Sequence, residues 1–344
     1  MKCLELFTGL GGLAKGLERA GFTPVKFIEF NKDACNSLRA NYDPDLVFEG
    51  DVRDFCATDL GEIDLVAGGP PCQPFSLGGL GKAHNDTRDM FPETARIVSE
   101  CQPKAFIFEN VKGLLRKNFS DYFNYIILRL SFPLEVIQDG EDWISHSKRL
   151  SKIDRRKYNK LSYNVEYKLL NAANYGVPQI RERVFIVGIR NDIKKKWTFP
   201  KETHANIEEN LQASLFDTVK PWITLGEILK NIPEPNPEGS FAEDHVLRTG
   251  ARVYPGHTGS VLDRPAKTIK AGAHGVPGGE NMIRYEDGRV RYMSTYEAKL
   301  IQTFPRDYIV TGSWGETLRQ IGNAVPVKLA EIIGNQMSKL LTTA

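Results

Sequence analysis

The 344-residue sequence has no long apolar run, few cysteines and little net charge, and each shortage excludes a class of protein. No stretch reaches the roughly 20 apolar residues that cross a bilayer, so a membrane-spanning protein is not predicted. The five cysteines show no Cys-x-x-Cys spacing, which argues against a disulfide framework and against a thiolate metal site. The formal charge of +2 leaves a nucleic-acid partner open, because local basic clusters can still contact phosphates. The first residues, MKCLELF, read as a strand and not as a leader, and we expect a cytoplasmic protein.

The first half of the chain alternates short strand-like runs with stretches of helical periodicity. The strand-like runs are CLELF, VKFIEF, DLVFEGD, IDLVA and AFIFE, and a helix capped by Asn31 is predicted between the second and the third. This rhythm predicts an α/β fold with a mostly parallel, doubly wound sheet. The runs VEYKLL and RVFIVGI add further strands to the same sheet.

Two later segments break this rhythm. Residues 131–160 are polar and contain the basic run KRLSKIDRRKYNK, which we interpret as a solvated excursion, with phosphate contact as the less favoured alternative. The cluster Lys194 to Lys196 then marks a change in character. Between about 191 and 289 glycine and proline are dense, which predicts long irregular loops on a small scaffold.

A glycine-rich turn follows the first strand, in the sequence FTGLGGLAKG. Gly9, Gly11 and Ala14 fit the pattern G-x-G-x-x-[G/A], which lets backbone approach a ligand at a helix N-terminus. Glu29, at the end of the second strand, can accept hydrogen bonds from ribose hydroxyls. The pattern suits NAD, FAD and S-adenosylmethionine alike, and a tight strand-to-helix turn is its purely structural alternative.

Two other strand ends carry residues with both a binding and a structural interpretation. Phe30 can stack on an adenine, or it can simply pack against the protein. Asp51, in the sequence EGDV, can accept a hydrogen bond from an adenine amino group, although a lone aspartate there is more often a helix cap.

A thiol lies in the turn GGPPCQPFS, directly after a predicted buried strand. A lone cysteine is usually a small buried hydrophobe. Cys72, however, follows the carboxyl end of a strand, where ligands bind in such sheets and where nearby cations can lower a thiol pKa. Glu109 ends the next strand and is expected to face the same crevice. Arg181 and Arg183 are two residues apart at the start of a strand and so point the same way.

Taken together, an ordered set of motifs resembles the C5-cytosine-specific DNA methyltransferases of the prokaryotic type. The motifs are LFTGLGG, FIEFN, GDV, GGPPCQPFS, FENV, YGVPQIRERVFIVG, TYEAKLIQTFP and IGNAVP. The resemblance implies a Rossmann-like, S-adenosylmethionine-dependent methyltransferase domain and a smaller, loop-rich target-recognition domain. The first is expected to be discontinuous, over 1–190 and about 304–344, and the second, with its hinge, to cover about 191–303.

The resemblance also implies a reaction, the transfer of a methyl group to C5 of a flipped-out cytosine in a specific double-stranded DNA sequence. C5 is a poor nucleophile, and addition of the Cys72 thiolate to C6 would make it able to attack the methyl donor. By resemblance Glu109 contacts N3 and the exocyclic amine, Arg183 contacts O2, and Arg181 supports Glu109 and the active-site loop. The product of the donor would be S-adenosylhomocysteine.

Two sets of binding residues follow from the same resemblance. The expected S-adenosylmethionine pocket consists of Phe7, Gly9, Leu10, Gly11, Glu29, Phe30, Asp51, Val52, Pro70, Met90, Asn323, Ala324 and Val325. Because the last three lie near the C-terminus, we expect the last helix to pack beside the first strand. Candidates for DNA contact are Gln73, Ser76, Arg88, Gln179, Arg248, Arg252, Lys267, Lys270 and His274.

Three other functions compete with DNA methylation. A tRNA cytosine-C5 methyltransferase would share the motifs, although the large glycine-rich recognition stretch favours DNA. A nicotinamide-dependent oxidoreductase would use the glycine turn but leaves PPCQ, ENV and QIRER unexplained. A catalytically dead binding module is disfavoured, because every chemical residue is present. We expect a monomer, associated with the nucleoid when bound to DNA, that acts alone or beside a restriction endonuclease of the same site.

Overall fold

A single seven-stranded sheet organises the computed structural model, which describes residues 1–71, 89–206, 219–271 and 281–342. Its strands are β1 (Lys2–Leu6), β2 (Thr23–Glu29), β3 (Val47–Glu49), β4 (Leu65–Gly68), β5 (Ala105–Val111), β6 (Tyr163–Asn171) and β7 (Glu182–Arg190). The spatial order is β3-β2-β1-β4-β5-β7-β6. The first five strands pair in parallel, while β7 runs antiparallel to both β5 and β6. The predicted α/β fold with a mostly parallel sheet is confirmed.

Helices cover both faces of this sheet. In the first part they are α1 (Gly12–Arg19), α2 (Lys32–Asn41), α3 (Phe91–Cys101), α4 (Ser120–Ser131) and α5 (Trp143–Ser151). The later helices are α6 (Leu225–Leu229), α7 (Thr295–Ile301), α8 (Trp314–Asn323) and α9 (Val327–Thr342). The side chain of Asn31 accepts a hydrogen bond from the Ala34 amide, so the predicted cap of α2 is confirmed. Within the described ranges, no helix combines the length and the apolar character needed to cross a bilayer.

The central strands are apolar on both sides, as strands of a covered parallel sheet must be. On one face, Leu4, Phe106 and Phe108 pack against α3 and α4. On the other face, Cys3 and Ile107 pack against α1 and α9. Alternate residues of the same strand therefore enter different cores, which follows from the period of 2 in a strand.

The last helix packs against the first helix, and glycines permit this contact. A Cβ on Gly12 would lie 2.2 Å from the Val325 carbonyl, and one on Gly16 would lie 2.4 Å from Ala330 Cβ. Glycine at these two positions allows helix backbones to approach more closely than any larger residue would. The last helix was expected to lie beside β1. It packs with β1 in one apolar core, which contains both Cys3 and Ala330.

Residues 131–160 are more ordered than the solvated excursion that we expected. Helix α5 buries His146 and Leu150, and Trp143 lies edge-on to Tyr122 of α4 with ring centroids 5.3 Å apart. His146 Nδ1 lies 2.9 Å from the Tyr125 hydroxyl. The polar composition hid this packing because only three side chains of a short helix carry it.

Short elements dominate the glycine-rich region. Two-residue strands β8 (His204–Ala205) and β9 (Lys220–Pro221) pair with each other, and β10 (Ser260–Val261), β11 (Met282–Arg284) and β12 (Val290–Tyr292) form a small sheet. Long connections separate them, as the sequence predicts. The start of α7 is fixed by a capping box and by a bidentate ion pair between Arg291 and Glu297.

The glycine contact between α1 and α9 leads to a stability prediction. Gly16→Ala should lower the free energy of unfolding by about 1–3 kcal/mol, because the added methyl group overpacks against Ala330. Gly315→Ala in α8 is the matched control, since a Cβ there meets no atom within 4 Å. That control should leave stability unchanged or raise it by up to about 1 kcal/mol. Urea denaturation of both variants measures the difference, and equal effects would contradict the packing argument.

Candidate functional site

A cleft of about 580 Å³ opens at the carboxyl ends of β1, β2, β4 and β5. This is the edge at which ligands bind in open α/β sheets. Most of the predicted site residues that the structure describes line it: Phe7, Gly9, Glu29, Phe30, Pro70, Glu109, Arg181, Arg183, Asn323, Ala324 and Val325. Residues far apart in the chain are therefore brought to one cavity.

The glycine turn is closed by the carboxylate of Glu29. The amides of Gly9 and Asn31 each donate to it over 2.7 Å, to Oε2 and Oε1 respectively. Gly9 and Gly11 have φ of 55° and 81°, a region that favours glycine. Burial raises the pKa of Glu29, while the hydrogen bonds from Asn31 and Gly9 oppose that rise. The amide of Phe30 also contacts this carboxylate. A carboxylate has about four acceptor sites, so Glu29 can accept a further hydrogen bond from a ligand hydroxyl.

Phe30 and Asn323 form the rim of this part of the cleft. The Phe30 ring is 75% exposed although it lies beside the buried strand β2. An exposed aromatic ring at a ligand cleft is a ready stacking surface for a flat heterocycle. Asn323, at the end of α8, is exposed on the same cleft and supplies an amide.

Five residues of the expected cofactor set do not line the cleft. Asp51 caps a short 3₁₀ turn by accepting from the Arg53 amide, and it pairs with the Arg53 guanidinium, which lowers its pKa. Leu10 and Val52 are buried in apolar cores, while Gly11 and Met90 are the N-cap residues of α1 and α3. For Asp51 the structure thus has the helix cap that was the alternative to an adenine contact.

Glu109 and Arg183 form an ion pair inside the cleft. Arg183 Nε lies 2.8 Å from Glu109 Oε1, with side-chain exposures of 15% and 9%. They are diagonal neighbours on one face of the β5–β7 pair, in which Val111 lies opposite Arg183. The Nε–H of Arg183 is not aligned for a hydrogen bond to this oxygen, and among the described residues Glu109 Oε1 accepts no hydrogen bond. A buried acceptor of this kind is free to meet a polar ligand.

Arg181, which was expected to support Glu109 and the active-site loop, lines the same cleft as Glu109 and lies within its electrostatic field. It is 1% exposed, and its Nη1 lies 3.5 Å from the Ile269 carbonyl, while it is Arg183 that contacts Glu109. Burial and the nearby positive charge of Arg183 lower the pKa of Arg181. Arg181 therefore connects the seven-stranded sheet to the glycine-rich region. The negative charge of Glu109 opposes the lowering of the Arg181 pKa.

The described part of the proline-rich turn after β4 ends at Pro71 and is held by two hydrogen bonds to carbonyls of its prolines. Asn110 donates from Nδ2 to the Pro70 carbonyl over 2.9 Å, and the Met90 amide donates to the Pro71 carbonyl over 3.2 Å. Cys72 itself lies outside the described residues. Its neighbour Pro71 lines the cleft, and Gly69 lies close enough to Glu109 for a Cβ there to meet Oε2 at 3.5 Å.

The DNA-contact candidates have separate fates. Gln73, Ser76, Arg88 and His274 lie outside the described residues. Gln179 is fully buried, and its Oε1 accepts from the Ile269 amide over 3.1 Å, so its side chain is inaccessible to a duplex in this structure. The sequence could not show this burial, because it comes from a strand-like bridge to Ala266 in a distant segment.

The remaining candidates lie in the glycine-rich region. Arg248 and Arg252 are exposed and stack over the rings of Trp314 and Tyr254, at 5.9 and 5.1 Å from the centroids. Lys270 is exposed, whereas Lys267 is half-buried and donates to Thr258 Oγ1. Stacking preorganises the two guanidinium groups without neutralising them.

Several cleft residues escaped the sequence analysis, above all Glu5. It is 2% exposed in the middle of β1, accepts from the Ala14 amide of α1, and has no partner for Oε2 among the described residues. A carboxylate inside the apolar run CLELF was the available signal. Arg319, Gln320 and Asn31 also line the cleft and had no such signal. In the described ranges, no group of three metal-ligating side chains converges.

Comparison with known proteins groups this arrangement with one enzyme family. The model of the family of C-5 cytosine-specific DNA methylases matches residues 1–132 and 145–339. Residues 133–144, in the segment before α5, are left unmatched.

Relatives and solved structures agree with that match. The Type II methyltransferase M.NgoMIV of Neisseria gonorrhoeae is 34% identical over 98% of this chain and 97% of its own. The Type II methyltransferase M.PspPI of Psychrobacter sp. is 34% identical over 99% of this chain and 80% of its own. A solved protein encoded within an E. coli prophage has the same fold, with a TM-score of 0.66 at 21% identity over 99% of both chains.

Glu5 leads to a pH prediction. Burial raises the pKa of this carboxyl well above its ordinary value, so the folded state prefers the protonated form. The free energy of unfolding should therefore fall as pH rises through the raised pKa, since ionisation is then favoured in the unfolded chain. Glu5→Gln keeps an acceptor for the Ala14 amide and removes the charge. Denaturation curves across pH should show that the free energy of unfolding of the variant increases relative to that of the wild type as pH rises. A difference in the free energy of unfolding that does not change with pH would contradict this.

Proposed function

Since this chain belongs to the family of C-5 cytosine-specific DNA methylases and is a DNA (cytosine-5-)-methyltransferase, we propose that its cleft holds both a methyl donor and a flipped-out cytosine. The observation that carries this proposal is the convergence of the Glu29-closed glycine turn and the Glu109–Arg183 pair on one cavity. A donor site and a base site must adjoin, because the methyl group moves directly from one to the other.

The donor half is formed by the ends of β1 and β2. S-adenosylmethionine supplies an activated methyl group on a sulfonium. Glu29 would accept from its ribose hydroxyls, Phe30 would stack on its adenine, and the backbone of Gly9 would face its amino-acid part. Ala324 and Val325 close the pocket from the C-terminal side. The fit is supported by the exposed Phe30 ring and by the remaining acceptor capacity of Glu29.

The base half performs the covalent steps. The Cys72 thiolate adds to C6 of cytosine, and the electron pair displaced from the C5–C6 bond makes C5 a nucleophile. N3 takes a proton from Glu109, whose Oε1 has no hydrogen bond from the described residues. C5 would then attack the methyl carbon of a bound donor, whose carbon–sulfur bond breaks and leaves S-adenosylhomocysteine. Loss of the C5 proton to a base, departure of the Cys72 thiolate from C6 and return of the N3 proton to Glu109 would restore the ring and the enzyme.

The two arginines hold this half together. Arg183 fixes Glu109 and, with its remaining N–H groups, donates to O2 of the base. Arg181 connects the β7 end to the Ile269 carbonyl, so it positions Arg183 relative to the glycine-rich region. In this proposal Arg183 contacts Glu109 directly, in addition to the support expected from Arg181.

The DNA partner is bound by two units of the chain. We assign the catalytic domain to 1–190 and about 304–344, and the target-recognition domain with its hinge to about 191–303. Arg248 and Arg252 are its exposed phosphate-contact candidates.

Relatives named as Type II methyltransferases support a role in a restriction-modification system, with a cognate endonuclease acting on the same site. A cytoplasmic monomer suffices for this chemistry, because one chain supplies both halves of the cleft.

The substrate is tested by bisulfite sequencing of DNA from cells that express the protein. We expect unconverted cytosines at one recurring sequence, which also identifies the recognised site. Cys72→Ala should abolish this protection, because no nucleophile then adds to C6. Protection in the variant would refute the role of Cys72, and methyl transfer to tRNA without a protected DNA site would favour the tRNA alternative.

The proton donor is tested by Glu109→Gln. We expect kcat to fall by about 10²–10⁴-fold, the usual contribution of a positioned acid, while S-adenosylmethionine binding stays unchanged. Glu182→Gln is the matched control, because Glu182 lies next to Arg183 but points to the surface and pairs with Lys112 over 2.8 Å. Steady-state kinetics and calorimetry separate the two effects. An unchanged kcat in the Glu109 variant would remove this residue from the chemistry.

A further inference from the structure

Two basic segments that are separate in the sequence come together in one groove of about 800 Å³. One segment is the end of the basic run after α5, and the other is the lysine cluster after β7. The cations that line the groove are Arg155, Arg156, Lys160, Lys194, Lys195 and Lys196, against two acidic residues, Glu166 and Asp192. Neither segment is explained by the chemistry of the cleft.

Half of these cations are already used by the protein. Arg155 donates to the Tyr163 carbonyl and to Ser131 Oγ, Lys160 pairs with Glu135, and Lys195 Nζ donates to the Leu340 carbonyl. These contacts fix the walls of the groove.

The other three cations project into solvent. Lys194 and Lys196 are exposed, and none of the described residues forms an ion pair with either. The Arg156 side chain is 91% exposed, and its Nε lies 3.5 Å from Asp154 Oδ1, a long surface contact that contributes little. Of the two acids, Asp192 is neutralised by Arg190, with Oδ1 2.8 Å from Nε. An uncompensated positive charge therefore remains on a concave surface.

The groove lies at the end of the sheet opposite the cleft. Strand β7 connects the two, since Arg183 lies in the cleft while Arg190 pairs with Tyr163 at the edge of the groove. Seven residues of antiparallel strand span about 24 Å. A short duplex seated in the cleft cannot bend back over this distance, because DNA is stiff on the scale of about 150 base pairs.

We propose that this groove binds the phosphate backbone of a second double-stranded DNA segment. The inference rests on DNA being the substrate and goes beyond the cleft. Lysines and a flexible arginine with neutral amides between them, such as Asn159 and Asn164, suit phosphate contacts that carry no base information. On long DNA the same molecule supplies both segments, so the groove keeps the enzyme on the substrate while the cleft searches for its site.

The experiment uses the full chain with its cleft occupied. The protein is first saturated with a short unlabelled duplex that carries the methylated site, and a labelled duplex without that site is then titrated by fluorescence anisotropy. We expect the labelled duplex to bind the wild type. The double variant Lys194→Glu with Lys196→Glu should bind it about tenfold more weakly, with the slope of log affinity against log salt reduced by about 2.

A matched double variant, Lys148→Glu with Lys152→Glu, makes the same charge change on α5 and its C-cap, outside the groove lining. It should bind the labelled duplex within about twofold of the wild type. Both variants should methylate the short duplex with unchanged kcat, which shows that they are folded. Equal binding by the two double variants, or no binding of the labelled duplex to the saturated wild type, would overturn the proposal. Failure of the wild type to methylate the short duplex would instead contradict the proposed function.

Discussion

The antiparallel pairing of β7 with β5 is the constraint on which the rest of the molecule depends. Its register sets Val111 opposite Arg183, and so brings the Arg183 guanidinium within 2.8 Å of Glu109 in the cleft. The same strand carries its other end to Arg190, beside the basic groove. A shift of β7 by one residue would turn Glu109 and Arg183 to opposite faces of the sheet. It would also move the apolar side chains of β7 from each of the two cores into the other.

A second constraint closes the cleft from the far end of the chain. Gly12 and Gly16 let α9 approach α1, and this approach carries Ala324 and Val325 to the edge of the sheet. This side of the cleft therefore depends on residues more than 300 positions apart. The helix contact serves both the packing of the fold and the shape of the proposed donor pocket, because the glycines that permit packing also place the pocket wall.

Buried charge marks the places where function overrides stability. Glu5 and Arg181 are both nearly inaccessible, and burial shifts the pKa of each towards its neutral form. Neither group is needed to fill a core, since an apolar residue of similar size would serve as well. Both groups line the cleft, so their cost is consistent with the proposed function of that cleft.

The sequence by itself determined the α/β class, the glycine turn after the first strand, and the positions of Glu29 and Glu109 at strand ends and of Arg183 near a strand start, because strand period and parallel topology place these ends at one edge. Only the structure showed that Glu29 closes the turn, by accepting from the Gly9 and Asn31 amides. The sequence offered two interpretations of Asp51 and left Gln179 as a DNA contact. Only the tertiary structure made Asp51 a cap of its own turn and buried Gln179 against Ile269. It alone also joined the two basic segments into one groove. The physical reason is that the local sequence pattern shows which face of a strand or helix a residue occupies. The residue that it contacts on that face often belongs to a distant segment, and nothing in the local pattern identifies that segment.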